Sequence, residues 1–170
     1  MLNPKYPNID IQLSFGDIDV LEHYVKELKQ PNCYLEIGSA QGGSACLAYE
    51  AAPKDIEIHA VDPETSYTFL GPRDKIHFHR GTSREYEQNW NQPIGVLFID
   101  GDHDSAGADF IYWNRFVAHG GVILFHDYQN GSPKVDEDCD FLFTDNNKFK
   151  RLYYQPVSDA KSHIYQVKKL

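Results

Sequence analysis

The sequence predicts an α/β fold: an open, mostly parallel β-sheet with helices on both faces. Segments with the patterns of strands and helices alternate five times along the first 128 residues, and this order suits parallel strands, because each of them needs a crossover connection. The segment Gly95–Ile99 is a continuous apolar run, as expected for a central strand that is covered on both faces. Polar residues directly follow the predicted strands, and ligands of such sheets bind beyond the carboxyl ends of the strands.

The N-terminal part of the chain predicts a cover, a helix and the first strand. Residues 1–13 are rich in Pro and Asn and predict a loop or a short cover. Apolar residues recur at spacings of three, four and three within Asp17–Gln30, which is the period of a helix with one buried face, and Ser14 is placed to cap it. Pro31 stops this helix, and the buried strand Cys33–Ile37 follows.

Four more strands and three helices are predicted before residue 128. The strands are Ile56–Val61, Lys75–His79, Gly95–Ile99 and Val122–Phe125, and the helices are one that ends at about Ala52, a short one over Arg84–Asn89 and one over Ala106–Val117. The pair Gly120-Gly121 is expected to break the chain before the last of these strands. The segment Thr65–Asp74 has an ambiguous pattern.

The C-terminal part departs from the alternation. Arg151–Gln155 and Ser162–Val167 resemble strands, and Pro156–Lys161 joins them over a length typical of a hairpin. Before them, Asn130–Asn147 is acidic and carries an apolar patch at Phe141–Phe143; it is either a substrate lid or a solvated connector with a short helix. The chain contains no linker or repeat, so residues 1–170 are expected to form one domain.

The composition excludes several functional classes. The chain has 170 residues and a net charge of −9, whereas a nucleic-acid-binding protein would show a basic stripe, so small molecules or proteins are the expected partners. The longest apolar runs are too short to span a bilayer, and the N-terminus lacks the pattern of a signal peptide. Three cysteines without metal-ligand spacing indicate reduced thiols, as expected of a cytoplasmic protein.

The segment Tyr34–Ser44 is the best candidate for a ligand-binding turn. It has the pattern of a strand, a turn with glycines and the start of a helix. Glycine permits positive φ and close approach of a ligand, and the free N–H groups of a helix start point at that ligand. Asp62 follows the next strand and is placed to accept the hydroxyls of a ribose, although an aspartate before Pro63 can also be a turn residue.

Three motifs resemble those of class I S-adenosylmethionine-dependent methyltransferases. They are E-x-G-x-x-x-G-G at residues 36–43, I-D-G-D-H at 99–103 and G-G-x-x-x-x-H-D-Y at 120–128. Together they are similar to catechol-type and cephalosporin-biosynthesis-type O-methyltransferases over residues 33–128, and more loosely over the final hairpin. The resemblance implies a three-layer Rossmann-like fold with a mostly parallel seven-stranded sheet and a C-terminal antiparallel hairpin. It also implies methyl transfer from S-adenosylmethionine to an oxygen of a small molecule.

The resemblance assigns candidate site residues. Those for cofactor binding are Glu36, Gly38, Ser39, Gln41, Gly42, Gly43, Ser44, Asp62, Gly81, Thr82, Ser83 and Asp100. The candidate catalytic residues are His103, His126 and Asp102. Asp100 and Asp127 match the two carboxylates that bind a divalent cation, and such hard oxygen ligands suit Mg²⁺. Tyr128 departs from the family pattern, because catechol-type enzymes have an asparagine ligand at that position.

Several of these residues have two interpretations. Glu36 is expected either to hold the turn or to reach the cofactor's ammonium group through water. Ser83 meets the adenine or caps the next helix. His103 and His126 are each a candidate general base, metal ligand or structural hydrogen-bond donor. The other histidines have no such placement and are expected to be structural or exposed; they are His23, His59, His77, His79, His119 and His163.

Other functions remain open at this point. A cofactor-binding subunit without turnover, or an interaction module, would use the same turn. The D-x-D pair Asp100 and Asp102 resembles the nucleophile site of aspartate-based, Mg²⁺-dependent phosphohydrolases, but that family places the pair on its first strand and lacks the glycine turn. An NAD site is disfavoured because the G-x-G-x-x-G spacing is missing. The sequence names neither the methyl acceptor nor the oligomeric state, and a homo-oligomer is an open option.

Overall fold

The computed structural model describes residues 2–3, 6–64, 76–157 and 160–170. In chain order the elements are β1 (Leu2–Asn3), β2 (Tyr6–Asp10), α1 (Phe15–Lys26), β3 (Cys33–Ile37), α2 (Gly43–Ala51), β4 (Ile58–Asp62), β5 (Ile76–Arg80), α3 (Ser83–Glu87), β6 (Ile94–Ile99), α4 (Ala106–Trp113), β7 (Val117–Phe125), α5 (Pro133–Phe143), β8 (Phe149–Leu152) and β9 (Tyr165–Lys169). A 3-10 turn, His103–Ser105, precedes α4. The ambiguous segment Thr65–Asp74 lies outside the described residues.

The main sheet has seven strands in the order β5-β4-β3-β6-β7-β9-β8. The first five strands of this order are parallel, and β9 runs antiparallel to both of its neighbours. This confirms the predicted Rossmann-like fold with a mostly parallel sheet and a C-terminal antiparallel pair. The strand order reverses between β3 and β6, and ligands of open α/β sheets bind at such a switch point.

Side chains of the central strands alternate between two apolar layers. Tyr34 of β3 and Phe98 of β6 belong to the layer under α1 and α2. Their neighbours Leu35 and Leu97 belong to the opposite layer with Trp113 of α4. All five side chains are fully buried, so both faces of these strands are covered, which explains their continuous apolar sequence.

Helix α1 begins two residues earlier than predicted. Ser14 is its N-cap, as predicted, and it forms a capping box with Asp17: the Ser14 hydroxyl accepts from the Asp17 N–H, and the Asp17 carboxylate accepts from the Ser14 N–H. The helix ends at Lys26, four residues before the predicted end. Leu28 is nevertheless buried in the core, so the apolar period extends beyond the helix itself.

One expectation about local structure was wrong. Gly120 and Gly121 do not separate two elements, because both lie inside β7. The register between β6 and β7 shifts between the pairs Ile94↔Val117 and Val96↔Val122, so the glycines allow a bulge with a positive φ of 82° at Gly120. The N-terminal residues, for which a loop or a short cover was expected, form an antiparallel pair of strands, β1 and β2.

The acidic segment contains helix α5, as the connector interpretation expected. Val135 and Cys139 are buried on the side of the helix that packs against the sheet layer of α4, whereas Phe141 is 88% exposed. Its neighbours in the apolar patch, Leu142 and Phe143, pack against the same layer. None of the helices among the described residues is long and apolar enough to cross a membrane.

Candidate active site

A cleft of about 1400 Å³ opens at the carboxyl ends of the parallel strands. It is bordered by the turn after β3, the end of β4, the start of α3 and the ends of β6 and β7, with Gln12–Ser14 forming one wall. Sites for one small ligand have volumes of roughly 300–1,000 Å³. The cleft is larger than this, so it has room for a cofactor and a second molecule.

The glycine turn fits against the end of β6 so closely that a side chain at Gly38 is excluded. Gly38 has a φ of 89°, and a Cβ atom there would lie 2.3 Å from the carbonyl oxygen of Asp100. Gly42 has a φ of 85° and is the N-cap of α2 without a side-chain cap. The first N–H groups of α2 therefore face the cleft without a capping side chain, which favours a polar or anionic group above them.

The carboxylate of Asp62 is fixed at the edge of the cleft by two backbone donors. Its Oδ2 atom accepts from the Ala40 N–H and its Oδ1 atom from the Glu64 N–H, both at 2.8 Å. Each oxygen keeps a lone pair for a ligand hydroxyl. The turn residue Ala40 has a positive φ of 43°, and its bond to Asp62 links the glycine turn to the end of β4.

Glu36 is placed beneath the turn and away from the cleft. Its side chain is fully buried and accepts hydrogen bonds from the hydroxyls of Tyr34, at 2.8 Å, and Ser44. Burial raises the pKa of Glu36 to about 8. This geometry favours the first of its two predicted roles, which is to hold the turn, because Ser44 belongs to α2 and Tyr34 to β3.

The predicted cofactor residues divide into two groups. Those that line the cleft are Gly38, Ser39, Gln41, Gly43, Ser44, Asp62, Thr82, Ser83 and Asp100. Glu36, Gly42 and Gly81 do not line it. Thr82 is the N-cap of α3, in a capping box with Glu85, and the Ser83 hydroxyl donates to the buried carboxylate of Asp109. Ser83 is therefore not the capping residue, and burial raises the pKa of Asp109.

His126 lies at the centre of three carboxylates. Its Nδ1 atom is 2.8 Å from Asp100 Oδ1 and 3.2 Å from Asp127 Oδ2, and its Nε2 atom is 3.4 Å from Asp17 Oδ2. Burial lowers the pKa of His126, but the carboxylates of Asp100, Asp17 and Asp127 outweigh burial and raise it to about 10. The ring is therefore cationic in neutral solution, and this argues against its predicted role as general base.

Asp17 is a site residue that the sequence analysis missed. It is 1% exposed, and its Oδ1 atom accepts from the Ser162 hydroxyl at 3.0 Å and the His163 N–H at 2.6 Å. Burial opposes ionisation of Asp17, but the hydrogen bonds with His126, Ser14 and the His163 N–H outweigh it and lower the pKa of Asp17. In the sequence its only signature is that of a capping-box residue, and nothing local relates it to a histidine 109 positions away.

Asp100, His103 and Asp127 converge at the mouth of the cleft, where one ligand atom from each lies within 4.8 Å of the others. His103 Nε2 is 2.9 Å from Asp127 Oδ2, and Nδ1 is 3.0 Å from the Ser132 hydroxyl. Asn130 donates its amide to Asp127 Oδ1 at 2.7 Å. His103, for which metal ligation was one of the expected roles, thus lies beside the two predicted metal carboxylates, together with an asparagine that the sequence analysis did not consider.

Tyr128 and Asp102 do not belong to the cluster of Asp100, His103 and Asp127. The Tyr128 hydroxyl donates to Asp140 at 3.3 Å, and its ring packs on Tyr165, so it does not line the cleft. Asp102 lines the cleft and caps the 3-10 turn, because its carboxylate accepts from the Asp104 N–H at 3.2 Å and the Ser105 hydroxyl at 2.9 Å.

A second group of histidines lies on β4 and β5, away from the cleft. His59 stacks on His77 and His79 with ring centroids 4.7 and 5.6 Å apart. Burial, followed by the neighbouring histidines, lowers the pKa of both His59 and His79 to about 4. These rings are therefore neutral in neutral solution and pack as part of the sheet layer with Trp90.

Comparison with known proteins agrees with this geometry. A family model described as "Methyltransferase domain" matches residues 35–128, which contain all three motifs. Among solved structures, the O-methyltransferase from Bacillus cereus in complex with SAH has a TM-score of 0.72 and 14% identity, over 96% of this chain and 84% of that one.

Two further structures have the same fold. TomG, an O-methyltransferase from Streptomyces achromogenes involved in tomaymycin synthesis and solved with SAM, has a TM-score of 0.72 and 16% identity, over 98% of this chain and 83% of that one. The SAH-bound methyltransferase PaMTH1 from Podospora anserina has a TM-score of 0.70 and 17% identity, over 89% and 76%. The chain therefore belongs to the methyltransferase domain family, within the class I, S-adenosylmethionine-dependent group that its motifs resemble.

Proposed function

We propose that this protein binds S-adenosylmethionine in the cleft and transfers its methyl group to an oxygen of a small molecule. The observation that supports this most strongly is the position of the Asp100, His103, His126 and Asp127 group at the mouth of a cleft whose floor is the glycine turn. Groups that can bind and deprotonate a hydroxyl then lie beside a nucleotide-type pocket.

The lining residues fit the cofactor by chemistry. The Asp62 carboxylate suits the two hydroxyls of a ribose, and the turn from Gly38 to the start of α2 suits the amino-acid end. Thr82 and Ser83 are the polar residues available to an adenine edge. S-adenosylmethionine supplies an electrophilic methyl group on a positively charged sulfur. A positively charged ligand suits this site, because the three carboxylates of Asp17, Asp100 and Asp127 lie around the His126 ring.

The protein's own residues would position and deprotonate the acceptor. His103 and Asp102 are the available bases, because His126 is already protonated. Both nitrogens of His103 have partners, Asp127 and Ser132, so the ring must release one of them to take a proton. Asp102 is exposed at the cleft and needs no such change. Placement of a hydroxyl near these groups would account for most of the rate, because methyl transfer depends mainly on alignment.

A divalent cation is the second part of this proposal. Two carboxylates and an imidazole within 4.8 Å of one another suit Mg²⁺ by their oxygens and Mn²⁺ by their mixed oxygen and nitrogen set. Asp100, His103 and Asp127 would hold it, and it would lower the pKa of an acceptor hydroxyl. His126 already contacts Asp100 and Asp127, so the alternative is that its positive charge serves in place of a metal.

The test combines a binding titration with a turnover assay. Calorimetry on the folded protein should give saturable heat with S-adenosylmethionine and with S-adenosylhomocysteine, and absence of heat with both would overturn the proposal. Turnover is measured as release of S-adenosylhomocysteine with a panel of phenolic and aliphatic hydroxyl compounds. The proposal expects release with at least one of them, and its absence across the panel in a protein that binds cofactor would favour a binding subunit without turnover.

The cation is tested separately by the same assay with Mg²⁺, with Mn²⁺ and with EDTA. Asp127→Asn should abolish any metal stimulation, whereas Asp104→Asn, an exposed aspartate beside the site, should leave it unchanged. Equal turnover in EDTA would refute the cation and leave the methyltransferase proposal standing with His126 as the positive charge.

A further inference from the structure

The histidine cluster on β4 and β5 plays no part in the proposed methyl transfer. His59 is 4% exposed, while Glu57 and His77 are only partly covered. One ligand atom from each of these three residues lies within 4.8 Å of the others. The register pairs His59 with His77 across the parallel strands, so the backbone itself holds the two imidazoles side by side on one face of the sheet.

The two nitrogens of His59 have different surroundings. Nδ1 is 3.3 Å from His79 Nε2, and the Tyr86 hydroxyl is 2.5 Å from the same His79 nitrogen. The Tyr86 hydroxyl can donate to that nitrogen, and in this tautomer His79 Nε2 is an acceptor and His59 Nδ1 carries the hydrogen that faces it. His59 Nε2 then has a lone pair and lies 3.4 Å from the Glu57 carboxylate oxygen Oε2.

This arrangement has the form of a metal-ligating histidine. Such a ring typically donates its other N–H to a neighbouring acceptor, which fixes the tautomer and the ring orientation. In this tautomer two acceptors, His59 Nε2 and the Glu57 carboxylate, face each other, and a donor or a cation fits between them. The Gln92 side chain hydrogen-bonds to both and is the group that a bound cation would displace.

We propose that Glu57, His59 and His77 form a second cation site, for Zn²⁺ or another transition-metal ion of its class, distinct from the Asp100–His103–Asp127 group. Imidazole and carboxylate are ligands that Zn²⁺ accepts in a tetrahedral shell. A point at the centre of three atoms 4.8 Å apart is about 2.8 Å from each, and Zn–N bonds are about 2.0 Å long. Each of the three ligand atoms must therefore move by less than about 1 Å towards that point, and a water can complete the shell.

The test uses the full chain, stripped with EDTA, in an Asp127→Asn background that disables the group at the cleft. Zn²⁺ binding is measured by calorimetry, and Co²⁺ serves as a coloured probe of the coordination shell. The Asp127→Asn protein should bind one Zn²⁺. Adding His77→Ala or Glu57→Gln should weaken binding at least about tenfold.

The matched control is His119→Ala, which removes an exposed histidine outside the cluster and should leave Zn²⁺ binding unchanged. Thermal unfolding establishes that each variant is folded. If His77→Ala does not fold, Glu57→Gln alone still tests the site. Absence of Zn²⁺ binding in folded Asp127→Asn protein would overturn the inference, as would unchanged binding after Glu57→Gln and His77→Ala. The inference does not rest on the methyltransferase proposal, since metal binding is read without turnover.

Discussion

Replacement of Glu36 by glutamine tests how the floor of the cleft is held together. Glu36 is fully buried and accepts from Tyr34 and Ser44. Glutamine has nearly the same shape as glutamate and cannot ionise. Its amide NH2 group donates, so either the Tyr34 or the Ser44 hydroxyl must accept a hydrogen bond from it. The variant therefore isolates the free energy that the wild type loses when a buried carboxyl group becomes charged.

The magnitude follows from the pKa of Glu36, which burial raises from 4.5 to about 8. Between these values the folded protein binds more protons than the unfolded chain, so stability falls as pH rises from about 4.5 and levels off above about 8. At about 1.4 kcal/mol per pKa unit, the wild type loses about 3 kcal/mol between pH 6 and pH 9 through this group, and Glu36→Gln does not.

The assay is thermal unfolding of both proteins across this pH range. For a chain of this size, about 3 kcal/mol corresponds to roughly 6–12 °C in the unfolding midpoint. The midpoint of Glu36→Gln, relative to that of the wild type, should therefore rise by this amount between pH 6 and pH 9. Glu27→Gln, an exposed glutamate at the end of α1, is the control and should parallel the wild type. Parallel curves for Glu36→Gln and the wild type would refute the reasoning. Cofactor affinity of Glu36→Gln should be unchanged, because the side chain does not line the cleft.

Three further predictions address the cleft directly. Asp62→Asn should weaken S-adenosylmethionine binding about 10–100-fold by calorimetry, because hydrogen bonds to a charged group contribute about 1.5–3 kcal/mol; unchanged affinity would exclude ribose binding at this position. Gly38→Ala should lower the midpoint in urea or prevent folding, since its Cβ atom would lie 2.3 Å from the Asp100 carbonyl; wild-type stability would contradict the close approach. Asp17→Asn removes one of the carboxylates that raise the pKa of His126 to about 10. A raised histidine pKa stabilises the fold below about pH 6.5, and this is lost as pH rises towards the folded-state pKa. Because the variant lowers that folded-state pKa, the loss should still begin near pH 6.5 but end at lower pH and be smaller in total, as measured by NMR titration of the ring and by unfolding.

The electrostatics of the site raise a mechanistic question that the sequence did not. A ring with the charge of His126 occupies the side of Asp100 and Asp127 that faces the interior, whereas His103 lies on the exposed side. Two kinds of positive charge can therefore serve one pair of carboxylates: a fixed imidazolium from within and an exchangeable cation from the cleft. The metal dependence of turnover distinguishes their contributions.

Local patterns in the sequence determined the order and nature of most elements. The predicted bounds of β3 agree with the structure at both ends, and β6 differs by one residue, because continuous apolar runs between turn residues depend on few distant contacts. The turn at Gly38 and the acid at Asp62 were also predictable, since backbone conformation and position at a strand end are local properties. The same holds for Ser14, whose cap bonds reach only three residues.

Only the tertiary structure decided what the side chains at those positions contact. Asp17 and His126 are 109 residues apart, and no sequence pattern predicts their contact or the resulting pKa of the ring. Glu36 occupies the acidic position of a ligand-binding motif, but its side chain points into the core. There it accepts hydrogen bonds from the hydroxyls of Tyr34 and Ser44, and it does not line the cleft. The division has one physical reason: secondary structure follows from short-range sterics and periodicity, whereas burial, charge and protonation depend on neighbours that the fold brings from far along the chain.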